Sequence, residues 1–132
     1  MQQIRRGTIL YRWFSSTVPP KSKFFVVIGE NESNLVGFFF INSNISRFIK
    51  RNQSYFDMQM SIRKSDYFFL EYDSYIDAHE VKPIDKILLQ NEITSNTTTI
   101  KGSLTEDDIE LLLSALRNSK LFSKIEKETF FK

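Results

Sequence analysis

Two apolar runs joined by a short polar loop constrain this chain more than any other feature. KFFVVIG (Lys23 to Gly29) has no polar side chain after its lysine, ENESN follows, and LVGFFFINS (Leu35 to Ser43) returns with three consecutive phenylalanines. A strand with one wet face alternates polar and apolar residues, so a continuous run such as KFFVVIG predicts a strand buried on both sides. ENESN then reads as a hairpin loop. Gly37 inside the second run marks a bend or a close approach of another backbone. A chain of 132 residues builds one core of this kind and not two, so residues 1–132 are read as a single domain.

The flanking segments extend the same pattern. GTILYRWF (Gly7 to Phe14) is rich in β-branched and aromatic residues, and Pro19-Pro20 in the next segment cannot donate ladder hydrogen bonds. In SYFDMQMSI, Phe56, Met58, Met60 and Ile62 alternate with Tyr55, Asp57, Gln59 and Ser61, which predicts a half-buried strand. NISRFIKRNQ, between these, reads as a short helix or a basic loop. SYIDAHEV and IDKILLQNEI are read as further strand, with Pro83 limiting the first, and TSNTTT as a polar connector. TEDDIELLLSALRNS predicts a helix. Thr105 is placed to cap it, Glu106, Asp107 and Asp108 favour its positive end, and Ile109, Leu112, Leu113 and Leu116 form one stripe. The tail KLFSKIEKETFFK either adds a short element or frays. The expected fold is mainly β (β+α), a small barrel of about six short strands with a C-terminal helix.

Composition narrows the chemistry. The chain has no cysteine and one histidine, His79, which excludes a disulfide framework and a thiolate metal site and argues against an all-protein zinc centre. No metal and no cofactor are expected. The N-terminus has no sustained apolar run that would make a signal peptide, and no segment approaches the roughly 20 apolar residues of a membrane span, so a cytoplasmic protein with no membrane partner is expected. Net charge is only +2, but basic residues outnumber acidic ones as far as Arg63 and the reverse holds beyond it. A basic face on the first half would suit a polyanion.

The order of these segments resembles the MazF/PemK/Kid family of toxin endoribonucleases, from Gly7 to about Leu116. GTILYRWF is similar to the family's first strand and KFFVVIG to its second. LVGFFFINS resembles the strand that ends in an Ile-Thr-Ser type motif. DSYIDAHEVKPIDKILLQNEI resembles the stretch carrying an Ile-Asp pair, and IKGSLTEDDIELLLSAL the lead into the last helix. The resemblance implies an SH3-like barrel and cleavage of single-stranded RNA without metal, which needs a base, a cation and an acid held together. It also implies a toxin–antitoxin or related defence role, a homodimer, and an antitoxin or other partner protein. The family's arginine at the start of the second strand corresponds to Lys23, which keeps the charge but not the bidentate fork. Its threonine or serine at the end of the third corresponds to Asn42 and Ser43, and an arginine–aspartate pair of some members to Asp77 and His79. The Arg-Pro signature is replaced by Lys23-Phe24.

The resemblance thus assigns phosphate stabilisation to Lys23, positioning to Asn42, and proton transfer to His79 with Asp77 beside it. Lys21, Ser43, Arg47, Lys50 and Arg51 are the candidate RNA contacts. Each has a plainer reading: a surface histidine, two solvated lysines in the loop before the second strand, a solubilising basic segment. Trp13, Phe14 and Phe38 to Phe40 are read as core. RKSDYFFLEYDS (Arg63 to Ser74), with its mixed aromatic and acidic residues, is either a folded turn that positions a site or a docking surface. Two functions stay open: an endoribonuclease, or a non-catalytic module on the same barrel that docks a partner protein or RNA.

Overall fold

The computed structural model describes residues 3–132, and among them seven strands form one antiparallel sheet curled into a half-barrel. The strands are β1 (Thr8–Phe14), β2 (Lys21–Glu30), β3 (Leu35–Asn42), β4 (Gln59–Ile62), β5 (Ser74–Asp77), β6 (Lys82–Asp85) and β7 (Thr99–Ser103). Their order is β4-β5-β3-β2-β1-β7, and β3 also pairs with β6. The central hairpin is the one read from the two apolar runs. Phe25, Val26, Val27 and Ile28 are all at most 2% exposed, so β2 is covered on both faces.

The register sorts the core into two layers. Ile9, Val26, Phe39, Ile41 and Ile76 share one face of the sheet, covered by Leu112, Leu113 and Leu116 of helix α4 (Glu106–Asn118, after α1 Arg47–Lys50, α2 Gln53–Phe56 and α3 Lys86–Thr94) and by Tyr67, Leu70, Phe122 and Phe131. Leu10, Phe14, Phe25, Val27 and Phe38 share the other face, closed by Ile4, Ile84 and Leu89. Thr105 caps α4 as the sequence predicts, its side chain accepting from the Asp108 N–H. The tail does not fray. Ser123 and Glu126 form a reciprocal cap for a short helix (Lys124–Phe130), and Phe131 beyond it is fully buried. Gly29 and Gly37 make room for this tail: a Cβ on Gly29 would stand 2.4 Å from the Phe130 carbonyl oxygen, and one on Gly37 would stand 2.8 Å from the Phe130 ring.

Several sequence expectations are corrected. IDKILLQNEI is not strand after Ile84-Asp85. Lys86–Thr94 is a helix, because the Asp85 carboxylate accepts from the Leu88 N–H at 2.9 Å and caps it. What reads as a connector into the last helix contains β7, which brings the expected count of about six strands to seven. Pro83 does not end a strand but sits exposed in β6, opposite Gly37 at a sheet edge, where its missing N–H costs nothing. Of the two readings of NISRFIKRNQ the short helix holds, as one turn over Arg47–Lys50 capped by Ser46, and a second turn, Gln53–Phe56 capped by Asn52, begins at its last residue. The second takes Tyr55 and Phe56 out of the expected strand and leaves Phe56 41% exposed. Lys21 lies within β2 rather than in the loop before it, so the strand opens two residues ahead of Lys23. Phe14, Phe38 and Phe39 are core and Phe40 is half-buried, but Trp13 is 57% exposed.

Candidate functional site

The ends of β2, β3, β4 and β5 place five polar side chains on one face of the sheet. Asn42 pairs with Tyr75 across β3 and β5, and Gln59 pairs with Asp77 across β4 and β5. Residues directly opposite, and those two apart on a strand, share a face. Asn42, Tyr75, Asp77 and Gln59 therefore stand together, with Lys23 reaching in from β2. The Lys23 ammonium donates to Asn42 Oδ1 and lies 4.5 Å from the centre of the Phe40 ring. Burial, first, and the neighbouring charges of Lys21 and Lys82 hold its pKa down to about 8, while Asp77 opposes that shift.

Asp77 is held from two sides. Its Oδ1 accepts from Gln59 Nε2 at 2.8 Å and lies 2.5 Å from His79 Nδ1; the described hydrogen bonds leave Oδ2 unengaged. Gln59 Nε2 also donates to the Tyr55 carbonyl at 3.2 Å, and the Tyr55 and His79 rings pack at 4.7 Å between centroids. Lys23, Asn42, Gln59 and Asp77 line one cavity of about 320 Å3, walled by Asn44 to Ser46 and Ile49. His79 is not part of that lining; it stands behind Asp77.

Lys23 and Asn42 also border a second, larger groove of about 470 Å3. Lys21, Ser43 and Lys101 stand along it, with Tyr11 and Phe69 as aromatic walls. RKSDYFFLEYDS supplies the Phe69 side of the groove. Tyr67 is buried and donates from its hydroxyl to Asp108 while accepting from the Thr105 N–H at 3.1 Å, which anchors the turn on the start of α4. Phe69 packs on Phe24 at 5.5 Å. Tyr72 reaches the groove from the same turn and is 64% exposed. The segment is a folded turn that shapes a groove.

Of the residues singled out from the sequence, Lys23, Asn42 and Asp77 come together at one cavity, His79 joins them through Asp77, and Lys21 and Ser43 line the adjoining groove. Arg47, Lys50 and Arg51 are exposed and line neither, although Ser46 and Ile49 of the same segment wall the smaller cavity. Sequence reasoning missed Gln59, Tyr11 and Lys101. Gln59 was visible only as a wet-face residue of an alternating stretch, and nothing local marks Lys101, which reaches the groove because β7 pairs with β1. Among the described residues no group of three or more His, Cys, Asp or Glu side chains is placed to hold a metal ion. No family model matches the chain, and no curated protein matches it.

Proposed function

We propose that the protein is an endoribonuclease of the MazF/PemK type that cuts single-stranded RNA at the cavity between Lys23 and Asp77. One observation carries the reading: a cation, an amide and a carboxylate drawn from three strands line a single cavity, with the only histidine bonded to the carboxylate. RNA cleaved through its own 2′-hydroxyl needs a group to take the hydroxyl proton, positive charge on the phosphate, and a proton for the departing 5′-oxygen. Asp77 Oδ2 takes the first part. Gln59 and His79 fix the carboxylate by its other oxygen, so His79 positions Asp77 rather than meeting the substrate. The Lys23 ammonium faces the phosphate and supplies the proton, a task for which a pKa of about 8 suits it better than the ordinary lysine value of 10.5. Asn42 holds Lys23 and directs a donor toward a phosphate oxygen. The O2′–P bond forms as the P–O5′ bond breaks, leaving a 2′,3′-cyclic phosphate and a free 5′-hydroxyl. The strand lies along the groove past Lys21 and Lys101. A homodimer, and a protein partner that fills the groove, are part of the same proposal.

A second reading has its own observation. The Lys23 ammonium is already engaged by Asn42 and Phe40, and His79 does not reach the cavity, an arrangement that also suits a module which binds RNA without cutting it. The deciding experiment is cleavage of a long mixed-sequence single-stranded RNA in EDTA, with the products' ends identified. Cutting that leaves cyclic phosphates, is abolished in Lys23→Ala and Asp77→Asn, and falls by up to about 100-fold in His79→Ala is expected of a carboxylate positioned by histidine. Binding without cutting by folded wild-type protein would establish the second reading instead.

A further inference from the structure

On the face of the sheet that α4 covers, β1 carries Ile9, Tyr11 and Trp13 in alternate positions, and the cover runs out along it. Ile9 is fully buried, Tyr11 is 38% exposed and Trp13 is 57% exposed. Their partners on β2 follow the same course, Val26 opposite Ile9, Phe24 opposite Tyr11 and Ser22 opposite Trp13. Tyr11, Phe24 and Ser22 all line the larger groove, so Trp13 continues a surface that begins inside it. A lone exposed ring is ordinary, but Tyr11 packs on Phe24 at 4.6 Å between centroids and Trp13 follows on the same face, and a contiguous exposed aromatic surface at the mouth of a groove marks a place where something binds.

The charges around it favour one occupant. The Lys101 ammonium sits 5.9 Å from the centre of the Tyr11 ring, and Lys21, the first residue of β2 and on the opposite face from Ser22, lines the groove from its rim. Among the described residues neither Lys21 nor Lys101 has an acidic side chain within ion-pair distance. Exposed rings interleaved with unpaired cations match a strand of unpaired bases on a phosphate backbone. Tyr11 and Trp13, two apart on a strand, stand roughly 6.6 Å from one another along it, which separates two rings enough for each to take a base.

We infer that Tyr11 and Trp13 form a stacking ledge on which two consecutive unpaired bases of a single-stranded nucleic acid lie, with Lys21 and Lys101 on the phosphates, outside the cavity where cleavage is proposed. The inference deepens the reading given under Proposed function and rests on the same groove. A double helix, whose bases are already stacked on one another, does not fit the ledge.

Trp13 is the only tryptophan in the chain and reports its own occupancy. The experiment titrates wild-type protein with a mixed-sequence 2′-O-methyl RNA oligonucleotide, which cannot be cut through its 2′-oxygen, reading Trp13 emission and, in parallel, the anisotropy of the labelled strand. Saturable quenching is expected, with both signals following one isotherm. Trp13→Ala raises the anisotropy Kd by about 5- to 150-fold, the range alanine substitution of a base-stacking ring gives, and Trp13→Phe recovers most of that loss. Circular dichroism melting checks that both variants fold. Binding that leaves Trp13 emission unchanged, or that is unaffected in Trp13→Ala, overturns the ledge while leaving the cleavage proposal standing. Equal binding and equal quenching by a duplex of the same sequence also overturns it. Quenching together with a failure to cut unmodified RNA supports the ledge and removes the nuclease. Absence of any strand binding removes both.

Discussion

At the scale of single residues, Lys23 sets a conflict between stability and the proposed chemistry. Its ammonium is half-buried, and burial is the first cause of the fall from 10.5 to about 8. Between those two pH values the unfolded chain holds a proton that the folded chain has released, so stability rises with pH across that window. Below about 8 the lysine is charged in both states and the cost of burying the charge is felt in full. Lys23→Met is therefore expected to melt higher than wild type at pH 7, with the difference shrinking as pH rises through 8 toward 10.5. Thermal melts at pH 6, 7, 8, 9 and 10 test this, and a difference independent of pH would show that Lys23 is not the titrating group. The same lysine is needed protonated for the proposed reaction, so cleavage by the wild type is expected to decline as pH rises through about 8. Stabilisation and loss of cutting in one variant would mark Lys23 as a residue held in place for function.

Between elements, the clearest tie is Arg12 on Glu92. Nε meets Oε1 at 2.6 Å and Nη2 meets Oε2 at 2.9 Å, a two-pronged pair that fastens β1 to the helix Lys86–Thr94. Thr98, just before β7, donates to the same carboxylate at 2.7 Å and is itself buried. The hydrogen bond from Arg12 is the first cause of a Glu92 pKa below its usual value; burial acts against it and Thr98 adds to it. A carboxyl whose pKa is depressed by folding contributes stability above its ordinary range and loses it as pH falls. Glu92→Gln is expected to cost about 1–3 kcal/mol at neutral pH, with the gap to wild type closing in acid. Urea unfolding at pH 7 and at pH 3 measures both quantities. The pair in turn depends on the stretch after Asp85 being helical. Nothing in IDKILLQNEI excludes a strand, but the Asp85 cap starts a helix, and that helix is what brings Glu92 to Arg12.

For the molecule as a whole, the C-terminal tail closes the core. Phe131 is fully buried against Phe39 and Phe122. The backbone on either side of it is held by arginines from distant parts of the chain. Arg6 donates to the Ile28, Phe130 and Lys132 carbonyls, and Arg117 donates to the Phe131 carbonyl at 2.6 Å. Phe131→Ala is expected to cost about 3–5 kcal/mol, as for other buried phenylalanines; a denaturant midpoint within error of wild type would mean that the tail does not seal the core in solution.

The sequence by itself determined the central hairpin, the cap and apolar stripe of α4, and the phenylalanine-rich core. Each of these is a local pattern: a run without polar residues, a threonine before three acids, an i, i+3, i+4, i+7 spacing. It also picked out Lys23 and Asn42, but only through a likeness of segment order, and His79 as the chain's one histidine with Asp77 beside it. Tertiary structure decided what pairing brings together. The register of β3, β4 and β5 places Asn42, Asp77 and Gln59 on one face, β7 carries Lys101 to Tyr11, and the end of the helical cover leaves Trp13 in the open although Phe14 beside it is core. None of these is written within any one segment, because each depends on which strand lies beside which and on where the covering layer stops.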